Sequence, residues 1–433
     1  MIETGNEHGH SHRSIPDDWK LIRLHDACTK IGSGSTPRGG KEVYVKSGTA
    51  LIRSQNVYNN SFDSDGLTFV DEDTAKEMES VEVREGDVLL NITGDSVARC
   101  CTVPKGILPA RVNQHVSIIR TKTDVLDSDF LRFFLTSPRM QSHLLSLAES
   151  GGTRNALTKS MIEDLFIPTP GLGVQQAIVA LLSSFDSKIE LNHQMNETLE
   201  GLARATFEHS FIDFEFPDEL GKPYKSSGGK LIYNEKSGTR IPARWDVKPI
   251  DEVATFLNGL ALQKYPLDEV ETGLPVIKIR ELKQGVTESS DMASSKIPER
   301  YIVDDGDLLF SWSGSLEAVV WTSGKGALNQ HLFKVTSRLP LWYCYQWIRR
   351  YLPQYRRIAE GKATTMGHIQ RVHLSDSMVL VPDDPAIRAM DKVLGPLFER
   401  QVQLGVESRR LSQARDLLLP KLMSGKVRVP IEA

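Results

Sequence analysis

Apolar residues recur at intervals of alternately four and three positions in two long stretches of the chain. This spacing predicts two helices that pair along a narrow seam. The seam positions of the first stretch are Ile178, Leu182, Phe185, Ile189, Asn192, Asn196 and Leu199, and those of the second are Met390, Leu394, Leu397, Leu404, Leu411 and Leu418. We expect an antiparallel coiled coil. The alternative, a helix packed only on its own domain, typically has a wider apolar stripe.

Polar residues interrupt both seams, at Asn192 and Asn196 in the first and at Gln401 and Ser408 in the second. Such residues specify register and partner at some cost in stability. A helix from 178 to 206 is roughly 42 Å long at 1.5 Å per residue, a little more than the ~34–36 Å of one turn of B-DNA. Two domains held at the ends of this spacer would reach one face of a duplex about a turn apart.

The segments outside the seams are rich in short apolar runs separated by Gly-containing turns, which predicts strands. Both parts are interpreted as α+β, each with a strongly bent sheet and one helix. The expected strands are 49–53, 87–91, 115–120, 275–279, 307–311 and 331–335, and the expected helices are 128–149 and 341–359. The aromatic residues of the second helix are interpreted as its core face, with base stacking as the alternative.

The chain is also an internal duplication. The string Ile15-Pro16-Asp17-Asp18-Trp19 returns as Ile241-Pro242-Ala243-Arg244-Trp245, Glu85-Gly86-Asp87-Val88-Leu89-Leu90 returns as Asp305-Gly306-Asp307-Leu308-Leu309-Phe310, and Val112-Asn113-Gln114-His115 returns as Leu328-Asn329-Gln330-His331. The seam positions repeat at a constant offset of 212, whereas the offsets of the other strings differ. Loops therefore changed length after the duplication, and the helices did not.

Composition changes this picture little. The chain has 433 residues, a net charge of −4 and four cysteines without disulfide or zinc-site spacing. There is no recognisable signal peptide and no run of about 18 apolar residues, so we expect a cytoplasmic protein that does not enter a membrane. The negative charge disfavours nucleic-acid binding by the chain alone, though not if a partner supplies phosphate contacts. The His-rich start, residues 1–14, is interpreted as a flexible tail and not as a metal site.

The two halves differ most in their polar loops, where Arg, Lys, Asn, Ser and Thr side chains suit hydrogen bonds to base edges. The alternative is that surface loops are polar in any protein. The candidate DNA-binding residues are Arg38, Lys41, Arg53, Asn91, Thr93 and Arg154 in the first half, and Lys264, Lys278, Arg280, Ser311, Ser313 and Thr365 in the second. The shared Asn-Gln-His string is a candidate for scaffold or phosphate contact, or for a turn whose amides bond local backbone.

Catalytic motifs are absent from the sequence. It contains no Asp/Asn-Pro-Pro-aromatic segment of amino-methyltransferases and no convincing Gly-x-Gly-x-x-Gly turn. Pro217-Asp218 with Asp246-Val247-Lys248 loosely resembles a nuclease pattern, but such patterns arise readily by chance. We therefore predict no catalytic residues, no metal site and no cofactor in this chain.

The chain closely resembles the specificity subunits of type I restriction–modification systems from Ser14 to Pro430. The repeated strings above carry this resemblance, together with Asp213-Phe214-Glu215-Phe216-Pro217, Gly221-Lys222-Pro223-Tyr224-Lys225-Ser226-Ser227-Gly228-Gly229, Tyr233-Asn234-Glu235 and the closing Leu417-Leu418-Leu419-Pro420-Lys421-Leu422-Met423-Ser424-Gly425.

The resemblance implies two tandem α/β target-recognition domains, each reading half of an asymmetric bipartite site in double-stranded DNA. They would be joined by two long antiparallel coiled-coil helices in a pseudo-twofold, circular arrangement. The expected segments are a tail 1–14, recognition domain 15–172, spacer helix 173–210, linker 211–240, recognition domain 241–383, spacer helix 384–425 and tail 426–433.

The resemblance also implies partners. Two methyltransferase subunits that bind S-adenosylmethionine and methylate adenine would dock on the helices, and two restriction subunits would add ATP- and Mg²⁺-dependent cleavage. The specificity subunit would hold none of these cofactors. Two rival hypotheses remain. A coiled-coil scaffold that tethers enzymes without reading sequence predicts equivalent loops in both halves, and an enzyme predicts activity of the isolated chain.

Overall fold

The computed structural model describes residues 15–150, 155–268, 272–361 and 367–430. The chain divides into two compact units, the first formed by Met1–Asp186 with Gln413–Ala433 and the second by Ser187–Ser412. Two of the candidate DNA-binding residues, Arg154 and Thr365, and the His-rich residues 1–14 lie outside the described residues.

The strands of the first unit are β1 Lys20–Arg23, β2 Cys28–Ser33, β3 Tyr44–Val45, β4 Thr49–Ile52, β5 Val57–Tyr58, β6 Ser61–Phe62, β7 Thr68–Val70, β8 Glu82–Val83, β9 Val88–Asn91, β10 Cys100–Thr102, β11 Ala110–Val112, β12 Val116–Thr121 and β13 Phe166–Thr169. An antiparallel sheet has the order β10-β9-β12-β2, and a mixed sheet has the order β3-β7-β4-β11-β8. β4 and β11 are parallel neighbours. The remaining pairs are β1 with β13 and β5 with β6.

The helices of the first unit are α1 Glu72–Glu77, α2 Ser128–Thr136, α3 Pro138–Ser150 and α4 Lys159–Glu163. The Asp127 carboxylate caps α2 by accepting hydrogen bonds from the backbone N–H groups of Asp129 and Phe130. One helix was expected over 128–149, but it breaks at Ser137. This residue precedes Pro138 and is extended, because the proline ring disfavours a helical conformation of the residue before it.

The strands of the second unit are β14 Leu231–Asn234, β15 Thr239–Pro242, β16 Asp246–Pro249, β17 Ala254–Asn258, β18 Leu274–Ile277, β19 Met292–Ala293, β20 Ile302–Val303, β21 Leu308–Ser311, β22 Ala318–Val320, β23 Gly326–Leu328, β24 Leu332–Ser337 and β25 Met378–Val381. Its shorter helices are α6 Ile250–Val253, α7 Ile279–Gln284, α8 Leu341–Glu360 and α9 Arg371–Ser375. The sheet orders are β17-β24-β21-β22 and β19-β18-β23-β20, with β14-β15 and β16-β25 as pairs.

The duplication is therefore visible in the topology. The order β2-β12-β9-β10 of the first unit corresponds to β17-β24-β21-β22 of the second, and the parallel pair β4-β11 corresponds to β18-β23. The expectation of one strongly bent sheet per half was wrong, since each half contains an antiparallel sheet and a separate mixed sheet. The α+β class and the two-domain organisation are confirmed.

The central strand of each antiparallel sheet faces two cores. In β9, Val88 and Leu90 belong to the core that includes α2, whereas Leu89 belongs to the core of the mixed sheet. In β21, Leu308 and Leu309 divide between two cores in the same way. Side chains alternate between the faces of a strand, so a continuous apolar run is required where both faces are buried. This explains why Gly-Asp is followed by an unbroken apolar run in both halves.

Two long helices, α5 Leu172–Phe207 and α10 Asp384–Met423, follow the two repeats. Pro385 occupies the first turn of α10, where its missing N–H costs no helical hydrogen bond. Asp186 of α5 accepts a hydrogen bond from Arg415 of α10 at 2.7 Å, and Asn192 donates to the Ser408 hydroxyl at 3.3 Å. As α5 advances, its partner on α10 moves back, so the helices are antiparallel.

All predicted seam residues are buried or half-buried in the structure. Ile178 and Leu182 lie in the core of the first unit together with Leu422, while Met390 and Leu394 lie in the core of the second. The ends of the helices thus pack on the domains, and their central parts contact each other. Pairing between the helices therefore holds for their central parts, and packing on a domain holds for their ends.

The aromatic face of α8 is part of the core of the second unit. Trp342, Tyr343, Trp347 and Tyr355 are all buried, and Phe207 of α5 meets the ring of Trp347 edge-on, with 5.5 Å between centroids. These aromatics therefore anchor the spacer helix to its domain and are not exposed for base stacking.

The polar seam residue Asn192 gives a stability prediction. Its side chain is fully buried and donates to Glu407 at 3.0 Å, but its Oδ1 atom has no hydrogen-bond partner among the described residues. Leaving a buried polar group unsatisfied costs about 1–3 kcal/mol. We therefore expect the double substitution Asn192→Leu, Ser408→Ala to increase the free energy of unfolding by about that amount, measured by urea denaturation.

The exposed neighbour His193 provides the control, since His193→Leu changes the same turn of helix without altering the seam. A decrease in stability of the double variant would show that the polar pair is net stabilising. An increase in stability would agree with a polar pair that specifies the register of the two helices at a cost in stability.

Candidate nucleic-acid interface

The loops at one end of the strands β4, β9 and β11 meet in the first unit. We call Ser54–Asn56, Thr93–Arg99 and Asn113–His115 the first loop cluster, and the corresponding Lys278–Glu281, Trp312–Glu317 and Asn329–His331 the second loop cluster. In both clusters, the turn that follows β4 or its counterpart β18 is closed by a side-chain hydrogen bond. The side chain accepts from the backbone N–H of the residue three positions before it. Asn56 accepts from the N–H of Arg53 at 3.0 Å, and Glu281 accepts from the N–H of Lys278 at 3.1 Å.

The Asn-Gln-His string forms a tight turn in both clusters. The Asn113 side chain accepts a hydrogen bond from the N–H of His115 at 3.1 Å, and Asn329 does the same for His331 at 3.2 Å. This is an Asx turn, in which the side chain replaces a backbone acceptor. The asparagine of each string therefore has a structural role. This agrees with the alternative that the shared string forms a turn whose amides bond local backbone.

The histidine of each string orients a hydroxyl. In the first loop cluster, His115 Nδ1 lies 2.6 Å from Thr93 Oγ1, and His115 Nε2 lies 3.0 Å from the Gln114 amide nitrogen. Because that amide nitrogen donates, the neutral ring carries its proton on Nδ1 and donates it to Thr93. The Thr93 hydroxyl hydrogen is then available to another acceptor. In the second loop cluster, Ser313 Oγ and His331 Nδ1 are 3.1 Å apart.

A glycine brings the preceding strand against this turn in each half. A Cβ atom on Gly34 would lie 2.0 Å from the carbonyl oxygen of Val112, and one on Gly259 would lie 2.2 Å from that of Asn329. The backbone therefore approaches as closely as only glycine permits. Beyond Gly34, the Thr36 hydroxyl donates to Gln114 Oε1 at 2.5 Å, which connects the exposed loop between β2 and β3 to the loop cluster.

A cleft of about 760 Å³ opens in the first loop cluster. Its lining combines hydroxyl, amide, acidic and basic side chains with the rings of Tyr58 and His115. The residues are Ser54, Gln55, Tyr58, Thr93, Gly94, Asp95, Ser96, Arg99, His115, Asn155 and Ala156. In the second loop cluster, the Trp312 side chain stands at the position of Ile92, and its indole N–H donates to Asn258 at 3.0 Å. Equivalent loops therefore present different surfaces.

Three of the candidate DNA-binding residues are exposed cations. Arg38 and Lys41 lie on the loop between β2 and β3, and Lys264 lies on the loop after β17. Thr93 lines the cleft. These four are placed where a ligand reaches them.

Three other candidates are cations bound within the protein. Arg53 donates to the carbonyl oxygen of Gly66 at 2.6 Å, and Lys278 is paired with Asp291. Arg280 donates to the carboxylate of Glu281 at 2.7 Å. Burial opposes ionisation of Glu281, but the hydrogen bonds from Arg280 and from other neighbours outweigh it and lower the pKa of that carboxyl group.

The candidates Asn91, Ser311 and Ser313 require correction, because they are buried. The Asn91 amide donates to the carbonyl oxygen of Ser54 at 2.8 Å, and the Ser311 hydroxyl donates to that of Ser315 at 2.8 Å. An atom without exposed surface cannot bond a base edge. We therefore reassign Asn91 and Ser311 to the support of the loops, and Ser313 to its contact with His331.

Sequence reasoning missed Gln55, Tyr58, Arg99, Asp95 and Asn155, which line the cleft. The usable signal was a difference in charge between the two copies of the duplication. The hydrogen bond from Asn91 N–H to Arg99 O corresponds to that from Ser311 N–H to Glu317 O, so Arg99 and Glu317 occupy equivalent positions with opposite charge.

Neither a metal site nor a membrane span was found in the described parts of the chain. Within them, no group of three or more His, Cys, Asp or Glu residues is arranged to hold a metal ion. No helix there is both long and apolar enough to cross a membrane.

Comparison with known proteins matches residues 16–201 to the family described as the type I restriction modification DNA specificity domain. The type I restriction enzyme MjaIX specificity subunit of Methanocaldococcus jannaschii is 26% identical over 427 residues, covering 96% of this chain and 95% of that protein. The HindI specificity subunit of Haemophilus influenzae is 21% identical over 468 residues, covering 95% and 100%.

A solved structure shares the fold. The type I restriction–modification S subunit from M. genitalium matches with a TM-score of 0.55 at 14% identity, covering 95% of this chain and 97% of that one. The family model matches the first repeat, and the full-length relatives extend the match over both repeats and both long helices. The chain is therefore similar to type I restriction enzyme specificity subunits along nearly its whole length, and its first repeat matches the type I restriction modification DNA specificity domain.

Proposed function

We propose that this chain is the DNA sequence-specificity subunit of a type I restriction–modification complex, in which each repeat reads one half of an asymmetric bipartite site. The observation that carries the proposal is the pair of loop clusters, which share their turns and glycine contacts but differ in the side chains they expose. Arg99 and Glu317 are the sharpest example, with opposite charges at equivalent positions. A scaffold that ignores DNA sequence has no need of such differences.

In this proposal the contacts divide into two kinds. Exposed cations such as Arg38, Lys41 and Lys264 would neutralise phosphates, which provides affinity without sequence preference. Donors and acceptors in the cleft, such as Thr93, would meet base edges. The net charge of −4 suits a chain whose partner supplies further phosphate contacts.

The long helices are proposed to dock two methyltransferase subunits. Leu191 and Leu202 on α5, and Val393 and Leu417 on α10, are about half-exposed or more, and exposed apolar side chains of this size suit a protein interface. The chain itself would act without catalysis and bind no cofactor. S-adenosylmethionine would be held by the methyltransferase, and ATP with Mg²⁺ by two restriction subunits where these are present. The complex would act in the cytoplasm.

The test is to express the chain with its cognate type I methyltransferase in a host that lacks adenine methylation, and to map methyladenine in the host DNA by single-molecule sequencing. We expect one asymmetric motif of two specified parts separated by an unspecified gap. The methyltransferase expressed alone is the control. Methylation without sequence context would contradict sequence reading and favour a scaffold, whereas methylation by the isolated chain would indicate an enzyme.

A further inference from the structure

Arg99 is placed as a ligand-binding side chain in the first loop cluster. It lies directly before β10, lines the cleft and is half-buried. Its backbone is held on both sides, since its N–H donates to Ser96 at 3.2 Å and its carbonyl accepts from Asn91 at 2.8 Å. The side chain therefore starts from a well-defined point at the wall of the cleft.

The guanidinium group of Arg99 is held without using its hydrogen-bond donors. It lies over the ring of Tyr58, 4.7 Å from the ring centroid, which is a cation–π contact. Within the described residues, no hydrogen bond or ion pair of this guanidinium was found. An arginine stacked on a ring loses less conformational freedom when it binds, and its five N–H groups remain available.

The same position in the second repeat has the opposite chemistry. Glu317 replaces Arg99 there, and its carboxylate accepts a hydrogen bond from Arg356 at 3.0 Å. Arg356 also donates to the carbonyl oxygen of Leu316 at 3.1 Å. The second repeat thus neutralises this position internally, whereas the first leaves a cation facing the cleft. The duplicated scaffold keeps this backbone contact, while the loop it closes differs in length and in the side chain at its end.

We propose that Arg99 reads a guanine in the first half of the DNA site, donating two hydrogen bonds to its N7 and O6 atoms; this inference rests on the proposed function. Bidentate donation to these two acceptors is the commonest specific arginine contact in the major groove. The neighbour Asp95 is exposed in the same cleft and would accept from the N4 amino group of the paired cytosine. A carboxylate at this place repels a phosphate, so the pair of charges favours a G·C base pair over the DNA backbone.

The experiment uses the complex of the full chain with its methyltransferase and short duplexes that carry the mapped motif. Binding is measured by fluorescence anisotropy for the cognate duplex and for duplexes in which each G·C pair of the first half-site is changed to A·T. For the wild type we expect one such change, at the pair read by Arg99, to weaken binding about 5- to 150-fold. Arg99→Ala is expected to weaken cognate binding by a similar factor and to abolish the preference at that pair alone.

A chemical probe makes the test independent of folding of the variant. Replacing the guanine by 7-deazaguanine removes the N7 acceptor, so wild-type binding should weaken while Arg99→Ala shows no further loss. Arg99→Lys keeps the charge without the planar fork and should also lose most of the preference. Arg139→Ala, at an exposed arginine on α3 without a hydrogen bond or ion pair to the described residues, is the matched control and should bind like the wild type.

The outcomes are separable. Uniform weakening on all duplexes by Arg99→Ala would identify a phosphate contact and overturn the proposal, as would insensitivity of the wild type to 7-deazaguanine at every first-half guanine. A first half-site without guanine would overturn it too. In each of these cases the bipartite motif itself would stand, whereas its absence from the methylation map would contradict the proposed function first.

Discussion

Replacing Asp87 by alanine is expected to destabilise the first unit by about 3–5 kcal/mol, the cost of leaving one partner of a buried ion pair uncompensated. The Asp87 side chain is fully buried and the Arg120 side chain is 20% exposed. Two guanidinium nitrogens of Arg120 donate to the carboxylate at 2.7 Å each, and the N–H of Arg84 donates at 2.7 Å. The hydrogen bonds to Asp87 raise the pKa of Arg120. Removing Asp87 takes this stabilisation away, but the charge remains because a guanidinium group is not deprotonated in proteins.

The duplication supplies a matched control. Asp307 is the equivalent residue, and it contacts Lys334 at 2.7 Å, but the two side chains are 22% and 17% exposed. Water screens this pair better, so Asp307→Ala should cost less, between the roughly 0–1 kcal/mol of an exposed pair and the loss at Asp87. Urea denaturation gives the two free energies, and hydrogen exchange in β12 localises the first. Equal losses in both variants would show that burial does not set the difference.

Gly34→Ala is expected to disable recognition of the first half-site while leaving the second intact. The added Cβ atom would lie 2.0 Å from Val112 O and 2.4 Å from Asn113 O, and backbone atoms cannot rotate away as a side chain can. Adding atoms to a well-packed core costs about 1–3 kcal/mol when side chains can shift, and these backbone atoms are less able to move. The strand must move off the Asn-Gln-His turn, which shifts the loop that bonds Gln114.

Gly32→Ala is the matched control, because a Cβ atom there meets nothing within 4 Å, and it should leave the methylated motif unchanged. Gly259→Ala should produce the mirror result, a loss confined to the second half-site, since its Cβ would lie 2.2 Å from Asn329 O. The readout is the methylation map of each variant with the methyltransferase. A Gly34→Ala protein that methylates the full motif at the wild-type level would refute the argument.

Much of the fold followed from the sequence because its signals are periodic or repeated. The three-and-four spacing predicted the two long helices. The apolar runs after Gly-Asp predicted strands at 87–91 and 307–311, which the structure has as Val88–Asn91 and Leu308–Ser311. The break at Pro138 was missed although it is a local signal, since a proline disfavours the helical conformation of the residue before it. The division of each half into two sheets was not predictable, because it depends on pairing between distant strands.

The candidate site was predicted less well than the fold. Loop position and residue type selected Arg53, Lys278 and Arg280, yet the structure binds each of them to an acceptor inside the protein. Arg99 has the same chemistry, but its guanidinium lies over the ring of Tyr58 and has no such acceptor among the described residues. Whether a cation is available to a ligand depends on which acceptors the tertiary structure brings to it, and composition does not report this.

The sequence by itself determined that the molecule is a duplicated domain with two seam helices, since both properties are written in spacing along the chain. It also determined the turns that the two halves share, because the strings that form them are short and local. Only the tertiary structure decided which polar side chains face a cleft and which support it. Asn91 ends β9 and Thr93 lies two residues beyond it. The Asn91 side chain is buried and donates to the carbonyl oxygen of Ser54, whereas Thr93 lines the cleft, because contacts with distant segments decide which of these side chains reach the surface.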